Sequence, residues 1–233
     1  MATPLTNQTA NEREKYRIDF KASHIRYKNK AGKPVPGVTT VLGILNKPAL
    51  LHWAWNLGVQ GINLEAARQG AADIGTVAHA LCEAHLRGMD LDAGNIAPDM
   101  LDRAETGFLR FLDFWQKEQL SVVHVELAMV SEAMQVGGTL DVLARRADGR
   151  LVLIDLKTSK GIYDEMLVQA ATYAAMYEEC HGEAIHDAYI VRIGKEDADD
   201  LEIRAVNNRA ERATAFAALA HARRLLQAAG VKV

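Results

Sequence analysis

Cysteine is nearly absent: Cys82 and Cys180 are the only two. Two thiols cannot build a disulfide framework, a four-cysteine zinc site or a four-cysteine iron–sulfur site. Aromatic residues make up 6% of the chain beside abundant alanine, which argues against an all-β sandwich and for a helix-rich α/β chain. No apolar run approaches the ~18–20 residues that a bilayer span requires. The first residues also lack the hydrophobic stretch of a signal peptide. We therefore expect no membrane partner, no secretory leader and a cytoplasmic location. Strong charge of one sign is missing too, since the net charge is −3 over 233 residues. That disfavours a broadly basic coat and leaves room for a local basic groove around an acidic centre. What is present, 49% hydrophobic and 24% charged residues, suffices for one sizeable core.

The polar residues 1–15 read as a disordered tail. His24 to Pro36, with the turn-forming Asn29-Lys30-Ala31-Gly32, reads as a hairpin. Thr39 or Thr40 can cap a short helix through Leu45, and Pro48 suits the first turn of the next. Asp73 is the expected N-cap of a helix over 74–87, with Gly88 as its stop. Pro98 opens another helix, on which Leu101, Phe108, Leu112 and Trp115 recur at helical spacing. After Gln119 the period changes to two, giving strands over 121–130, 135–145 and 151–157. Asp148-Gly149 is a tight-turn signal joining the last two. A helix over 165–180, strands over 188–193 and 201–206, and a helix over 209–229 complete the order.

Chemistry concentrates in Gly137-Gly138-Thr139-Leu140-Asp141 and Leu153-Ile154-Asp155-Leu156-Lys157-Thr158. Alternate strand residues share a face, so Asp155 and Lys157 point the same way, about 7 Å apart along the strand. Asp141 lies on the partner strand of the same hairpin. Two carboxylates and an ammonium form a compact cation site whose hard oxygens suit Mg²⁺ or Mn²⁺. A three-residue acid-x-Lys pattern arises by chance about two or three times at this composition. Asp19-Phe20-Lys21 is one such match, without a partner carboxylate upstream. Asp155-Leu156-Lys157 differs in ending a strongly apolar strand, where charge is expensive to bury.

His79 and Glu83 are i, i+4 on one helix face and can address the same pocket. Spacing alone leaves open a polar stripe on a surface helix. His79-x-x-Cys82-x-x-His85 does not make a zinc site, because His85 turns away on a helix. Gln169 and Tyr173 are likewise i, i+4, and an amide with a phenol can bind phosphate, base edges or the lysine. Glu126 lies on the first strand beside that of Asp141, where it either faces the site or pairs with Arg145. His181-x-Glu183-x-x-His186 reads as surface.

Asp141 followed by Asp155-x-Lys157 resembles the PD-(D/E)XK nuclease superfamily. The resemblance implies a restriction-endonuclease-like α/β core: helix, three-stranded antiparallel meander, helix, strand. An N-terminal helical elaboration and a C-terminal helix surround it. Gly75-Thr76-Val77-Ala78-His79, then Gln169 and Tyr173, are similar to the RecB-type exonuclease branch. Pro36-Gly37-Val38-Thr39-Thr40-Val41-Leu42, followed by Lys47, Leu50 and Trp53, is similar to the mitochondrial genome-maintenance exonuclease and phage nucleases. The matches run from about residue 36 to 177 in the family's order.

The resemblance implies a single nuclease domain over 16–233, with the elaboration over 39–118, the catalytic core over 74–206 and the closing helix over 209–229. Asp141, Asp155, His79 and the backbone carbonyl of Leu156 would hold one or two Mg²⁺ or Mn²⁺ ions. Lys157 would place or activate the water, Gln169 and Tyr173 would steady lysine or substrate, and Glu83 and Glu126 would face the site from farther out. Related exonucleases with an iron–sulfur cluster carry four cysteines, so no cluster is expected here. The implied substrate is DNA with a free end and single-stranded character, in repair, recombination or phage DNA processing, inside a bacterium or a phage's host. Lys160, Arg145 and Arg192 are candidate groove cations. The rivals are a structure- or site-specific endonuclease and a non-catalytic nucleic-acid-binding protein.

Overall fold

The computed structural model describes residues 14–18, 26–45, 47–194 and 201–233. The tail up to residue 13, Asp19-Phe20-Lys21 and His24 fall outside the described residues. The elements run β1 (Lys15–Tyr16), α1 (Val38–Leu42), α2 (Pro48–Val59), α3 (Leu64–Leu86), β2 (Asp90–Leu91) and α4 (Pro98–Lys117). There follow β3 (Ser121–Ser131), β4 (Val136–Arg145), β5 (Leu151–Lys157), α5 (Asp164–His181), β6 (Asp187–Ile193), β7 (Leu201–Ala205) and α6 (Arg209–Ala228).

Most of these follow from local chemistry. Proline opens α2 and α4, where its missing N–H satisfies no helical bond anyway. Gly149 takes φ 90° and donates its N–H to Arg146 at 2.9 Å, closing the tight turn between β4 and β5. The expected start of the histidine helix is corrected: α3 begins at Leu64, where Asn63 accepts from the Ala66 N–H at 2.9 Å, and it runs straight through Asp73. The short α1 is likewise capped by no side chain, neither Thr39 nor Thr40. The expected hairpin is present from Arg26 onward, with Lys28 bridged antiparallel to Pro34.

The sheet has the order β3-β4-β5-β6-β7, with β5 and β6 parallel and the other neighbours antiparallel. The parallel pair needs a crossover, which α5 supplies. The α/β fold expected from sequence is thus the one observed, as a helix, an antiparallel meander, a helix and a strand. On one face, Leu140, Leu143, Leu151, Leu153 and Ile190 pack against α1, α5 and α6, with Phe216 fully buried. On the other, Val142, Ala144, Val152, Ile154, Leu156 and Val191 pack against Phe111, Phe114 and Trp115 of α4 and Cys82 of α3. Among the described residues no helix is long and apolar enough to cross a membrane.

One irregularity positions the site. The β4–β5 ladder runs from Arg145↔Leu151 to Val142↔Ile154 and stops there, although both strands continue. Farther along, the same edge of β4 is taken by another segment: Gly37 bridges Gly137 in parallel, and the Gly137 N–H donates to the Pro36 carbonyl at 2.9 Å. An opening is left between these two pinned ends. Asp141, Asp155 and Lys157 stand in it.

Candidate active site

Beyond Ile154 the backbone of β5 has lost its β4 partner, so its groups need other ones. Asp141 answers for one of them, with Oδ2 accepting from the Leu156 N–H at 2.7 Å. Within a strand the N–H and C=O of one residue point to the same side. The Leu156 carbonyl therefore faces this opening too. Asp155 is 0% exposed, and the Lys157 ammonium forms an ion pair with its Oδ2, as their shared strand face requires. Its Oδ1 is buried and takes no hydrogen bond. Burial, and secondarily the Asp141 carboxylate, raises the Asp155 carboxyl to about 6, against the pull of Lys157. Burial likewise raises Asp141, while Lys157 and the Leu156 N–H pull it down. Burial works against the Lys157 charge, but Asp155 and Asp141 more than offset this and hold its ammonium above the ordinary value.

Gln169 and Tyr173 come together on α5 as their spacing predicts, Nε2 donating to the phenol oxygen at 3.0 Å. Burial, then the charges of Asp155 and Asp141, raises the Tyr173 hydroxyl pKa. The paired glycines of β4 now have a reason. A Cβ at Gly138 would stand 2.5 Å from Cε1 of Tyr173, and one at Gly137 2.0 Å from Cγ of Tyr27. Tyr27 then shares a hydrogen bond of 2.9 Å with the Thr139 hydroxyl, two residues before Asp141.

A cleft of about 560 Å³ opens alongside, lined by His79 and Glu83 of α3, Glu126 of β3, Tyr16 and Thr158 among others. The buried carboxylates are not part of its wall. They adjoin it through Thr158, which follows Lys157, and through Glu126, which lies between the pairs Val125↔Val142 and Leu127↔Leu140, opposite Asp141. His79 is near enough to Asp155 for its charge to favour the carboxylate. Glu83 is clamped: Oε2 accepts from the Tyr16 hydroxyl at 2.6 Å and Oε1 from Arg87 Nε at 2.9 Å. Glu126 holds φ 53°, a left-handed conformation that is strained for a side chain of this size. Partial burial, then Asp141 and Glu83, pushes its carboxyl up to about 8.

Several expected neighbours are not at the site. Arg145 stands opposite Ser121, near the β4–β5 turn, and pairs with Glu183 at 3.1 Å, so Glu126 has no partner in it. Arg192 sits beside Lys157 in register but is 6% exposed and bonded to Glu202 at 3.1 Å. Neither is a groove cation; Lys160 alone of the three is exposed on the loop after Thr158. His85 packs edge-on against Phe108 of α4, at 5.6 Å between ring centroids, off the cleft. Tyr16, Tyr27 and Arg87 are not marked out by the sequence, since isolated residues in polar segments carry no periodic signal to find them.

A profile of the PD-(D/E)XK nuclease superfamily matches residues 51–232. The chain belongs to that superfamily. A PD-(D/E)XK nuclease hydrolyses nucleic acid, and members typically do so with divalent metal ions. The structure of an assumed exonuclease from Eubacterium rectale is similar at 14% identity, covering 69% of each chain, with a TM-score of 0.45. That of the protein SSO0001 is similar at 16% identity, over 67% of this chain and 74% of the other, with a TM-score of 0.37. A search of curated proteins gave no match. Among the described residues of this nuclease, no three His, Cys, Asp or Glu side chains already converge as a ready-made metal cage. The donor chemistry still fits a hard cation: two carboxylates across an opening, one of them with a buried oxygen lacking any hydrogen bond.

Proposed function

We propose that this nuclease is a Mg²⁺- or Mn²⁺-dependent DNA exonuclease acting on a strand with a free end and single-stranded character. It would form a single domain over 16–233 and serve repair, recombination or phage DNA processing in a bacterial or phage-host cytoplasm. One observation carries the reading: wholly buried Asp155 keeps Oδ1 without a partner, across from Asp141 and beside Lys157. A carboxylate buried this way is expensive unless a cation completes it. Asp141, Asp155, His79 and the Leu156 carbonyl would hold the ion, which when bound supplies a low-pKa water and charge neutralisation at phosphate.

This chain's own groups do the rest. Lys157, kept charged by two carboxylates, orients the attacking water or steadies negative charge growing on the phosphate. Tyr173, fixed by Gln169 and by close packing on Gly138, limits where that lysine and the substrate can lie. Glu83, with one oxygen on Arg87 and the other on Tyr16, holds Tyr16 in the cleft wall instead of reaching for the ion.

End-labelled linear single- and double-stranded DNA and a covalently closed single-stranded circle, each with Mg²⁺, Mn²⁺ or EDTA, test the proposal. Linear single strands should be degraded with either ion and spared in EDTA, and the circle should stay intact. A nicked circle would make the protein an endonuclease. Intact DNA of every form would overturn the reading.

Stability should follow the same carboxyls. The folded pKa values of Asp155, about 6, and Glu126, about 8, exceed the ordinary 3.8 and 4.5. Stability from these protonated groups is complete below the ordinary values and drains as pH rises through the folded ones. In EDTA, Tm should fall across this window, and less steeply in Glu126→Gln. Millimolar Mg²⁺ or Mn²⁺ should raise Tm, most at the alkaline end where the carboxylates repel. A Tm indifferent to both pH and metal would count against a cation site here.

A further inference from the structure

Between Asp19 and Glu65 the chain carries no acidic residue, and six basic ones: Lys21, Arg26, Lys28, Lys30, Lys33 and Lys47. In a chain of net charge −3 this is a marked segregation. Four of the six fall on the hairpin between Arg26 and Pro36, and all four are exposed. Strand alternation explains the arrangement: Tyr27 turns inward onto Gly137 and Thr139, so Arg26 and Lys28 turn outward. Lys30 lies near Glu132, whose carboxylate accepts from the Lys30 backbone N–H at 2.6 Å. Arg26, Lys28 and Lys33 have no ion-pair partner among the described residues. Lys47, by contrast, is spent on Glu165 at 3.9 Å.

The hairpin's location gives those charges a use. Its last residues, Pro36 and Gly37, pin β4 at Gly137, so the hairpin forms one rim of the opening that holds Asp141, Asp155 and Lys157. It is fastened there at several points. Asn29 donates to Gln135 at 2.7 Å and Tyr27 shares its bond with Thr139, while inside the hairpin the Val35 N–H donates to the Tyr27 carbonyl at 3.0 Å. The rim is therefore a rigid basic edge beside an acidic centre. It also lies N-terminal to residues 51–232, which the superfamily profile matches.

We propose that the hairpin Arg26–Pro36 is the substrate-docking arm, on which Arg26, Lys28 and Lys33 hold backbone phosphates of a nucleic-acid strand whose next phosphodiester enters the opening at Asp155 and Lys157. The inference rests on the proposed nuclease reading, and deepens it by placing the strand's path on this rim instead of at Arg145 or Arg192. Phosphate contacts of this kind position the strand without reading its sequence.

The test is binding of a fluorescently labelled oligothymidylate in EDTA, across a salt series, by wild type and by Arg26→Gln/Lys28→Gln/Lys33→Gln. Three lost phosphate contacts should flatten the slope of log affinity against log salt by about 2 and weaken binding on the order of 10-fold near physiological salt. Each single substitution should give about a third of the slope change, which keeps the test alive if the triple variant folds poorly. Lys117→Gln, at the far end of α4, should bind as wild type. With metal present, KM for DNA should rise and kcat at saturation should hold, since none of the three touches the opening. Unchanged affinity and slope in all hairpin variants of a protein that binds DNA would overturn the docking arm alone. A wild type that binds no nucleic acid would overturn both the arm and the nuclease reading. Binding lost in the variants of a wild type that never cleaves would support the arm and sink the cleavage reading.

Discussion

Lys157→Ala should lower turnover on labelled single-stranded DNA by on the order of 10²–10⁴, the range for losing a positioned proton-transfer or charge-stabilising group. The geometry separates this effect from a loss of binding. Lys157 is held above its ordinary pKa by Asp155 and Asp141, so at neutral pH it is an ammonium and carries its charge to the phosphate. Removing it leaves both carboxylates in place, and divalent ions should bind at least as well, because the competing cation is gone. DNA affinity should fall only modestly, one contact being a small share of the electrostatic total. The variant's metal-free form is the sensitive one: Asp155 would be buried with no ion partner, so its Tm in EDTA should drop and recover with Mn²⁺. Wild-type cleavage by this variant would show that the wrong site has been assigned.

Gly138→Ala is the second large effect, and it acts on stability and chemistry together. The new Cβ would meet Tyr173 Cε1 at 2.5 Å and Cδ1 at 3.2 Å, with Val38 Cγ2 at 3.3 Å behind. Tyr173 is itself 4% exposed and has nowhere to retreat without moving α5. Overpacking of this sort costs about 1–3 kcal/mol, read as a fall in Tm of several degrees. The displaced phenol should also lower activity in the protein that remains folded. Tyr173→Leu in the Gly138→Ala background should return part of the lost Tm, because the smaller side chain vacates the contested volume. If Gly138→Ala melts with wild type, or if the second substitution returns nothing, the contact is not what makes glycine necessary there.

Much of this was readable from residues alone, and the reason is locality. Proline at the first turn of α2 and α4, Asp148-Gly149 between β4 and β5, and the change to period two after Gln119 are signals within a few residues of what they specify. Asp155 and Lys157 share a face because strands alternate, and Gln169 meets Tyr173 because helices repeat every 3.6 residues. Where local signals compete, the reading slipped. Asp73 has the side chain of a helix N-cap, yet α3 runs through it from Leu64, with Val77, Ala78 and Cys82 packed against α4 and the sheet.

What depends on distant partners left no trace in the string. Nothing near Glu126 announces φ 53°, which arises where β3 passes the point at which β4 and β5 part. Nothing near Arg192 announces Glu202, nor anything near Arg145 its turn-end position beside Glu183. Charge type was legible; which charges are already satisfied was not. Tyr16 on Glu83 and Tyr27 on Thr139 span 67 and 112 residues of sequence, and single aromatics at such separations cannot be assigned without the fold.

The opening between β4 and β5 is framed by main chain: the Val142↔Ile154 pair at one end, and the Gly137 N–H on the Pro36 carbonyl at the other. A frame made of amides is indifferent to what side chains hang from it. Trimming the Val142 and Ile154 side chains to alanine leaves both ends of the frame bonded, whereas a Cβ added at Gly137 would meet Tyr27 at 2.0 Å. Deleting single N–H groups reaches the frame itself. A proline at 137 unpins one end of the frame, and a proline at 156 takes away the donor of Asp141 without altering either carboxylate. The aperture of this site is set by amides and glycines, not by the bulk of the side chains around it.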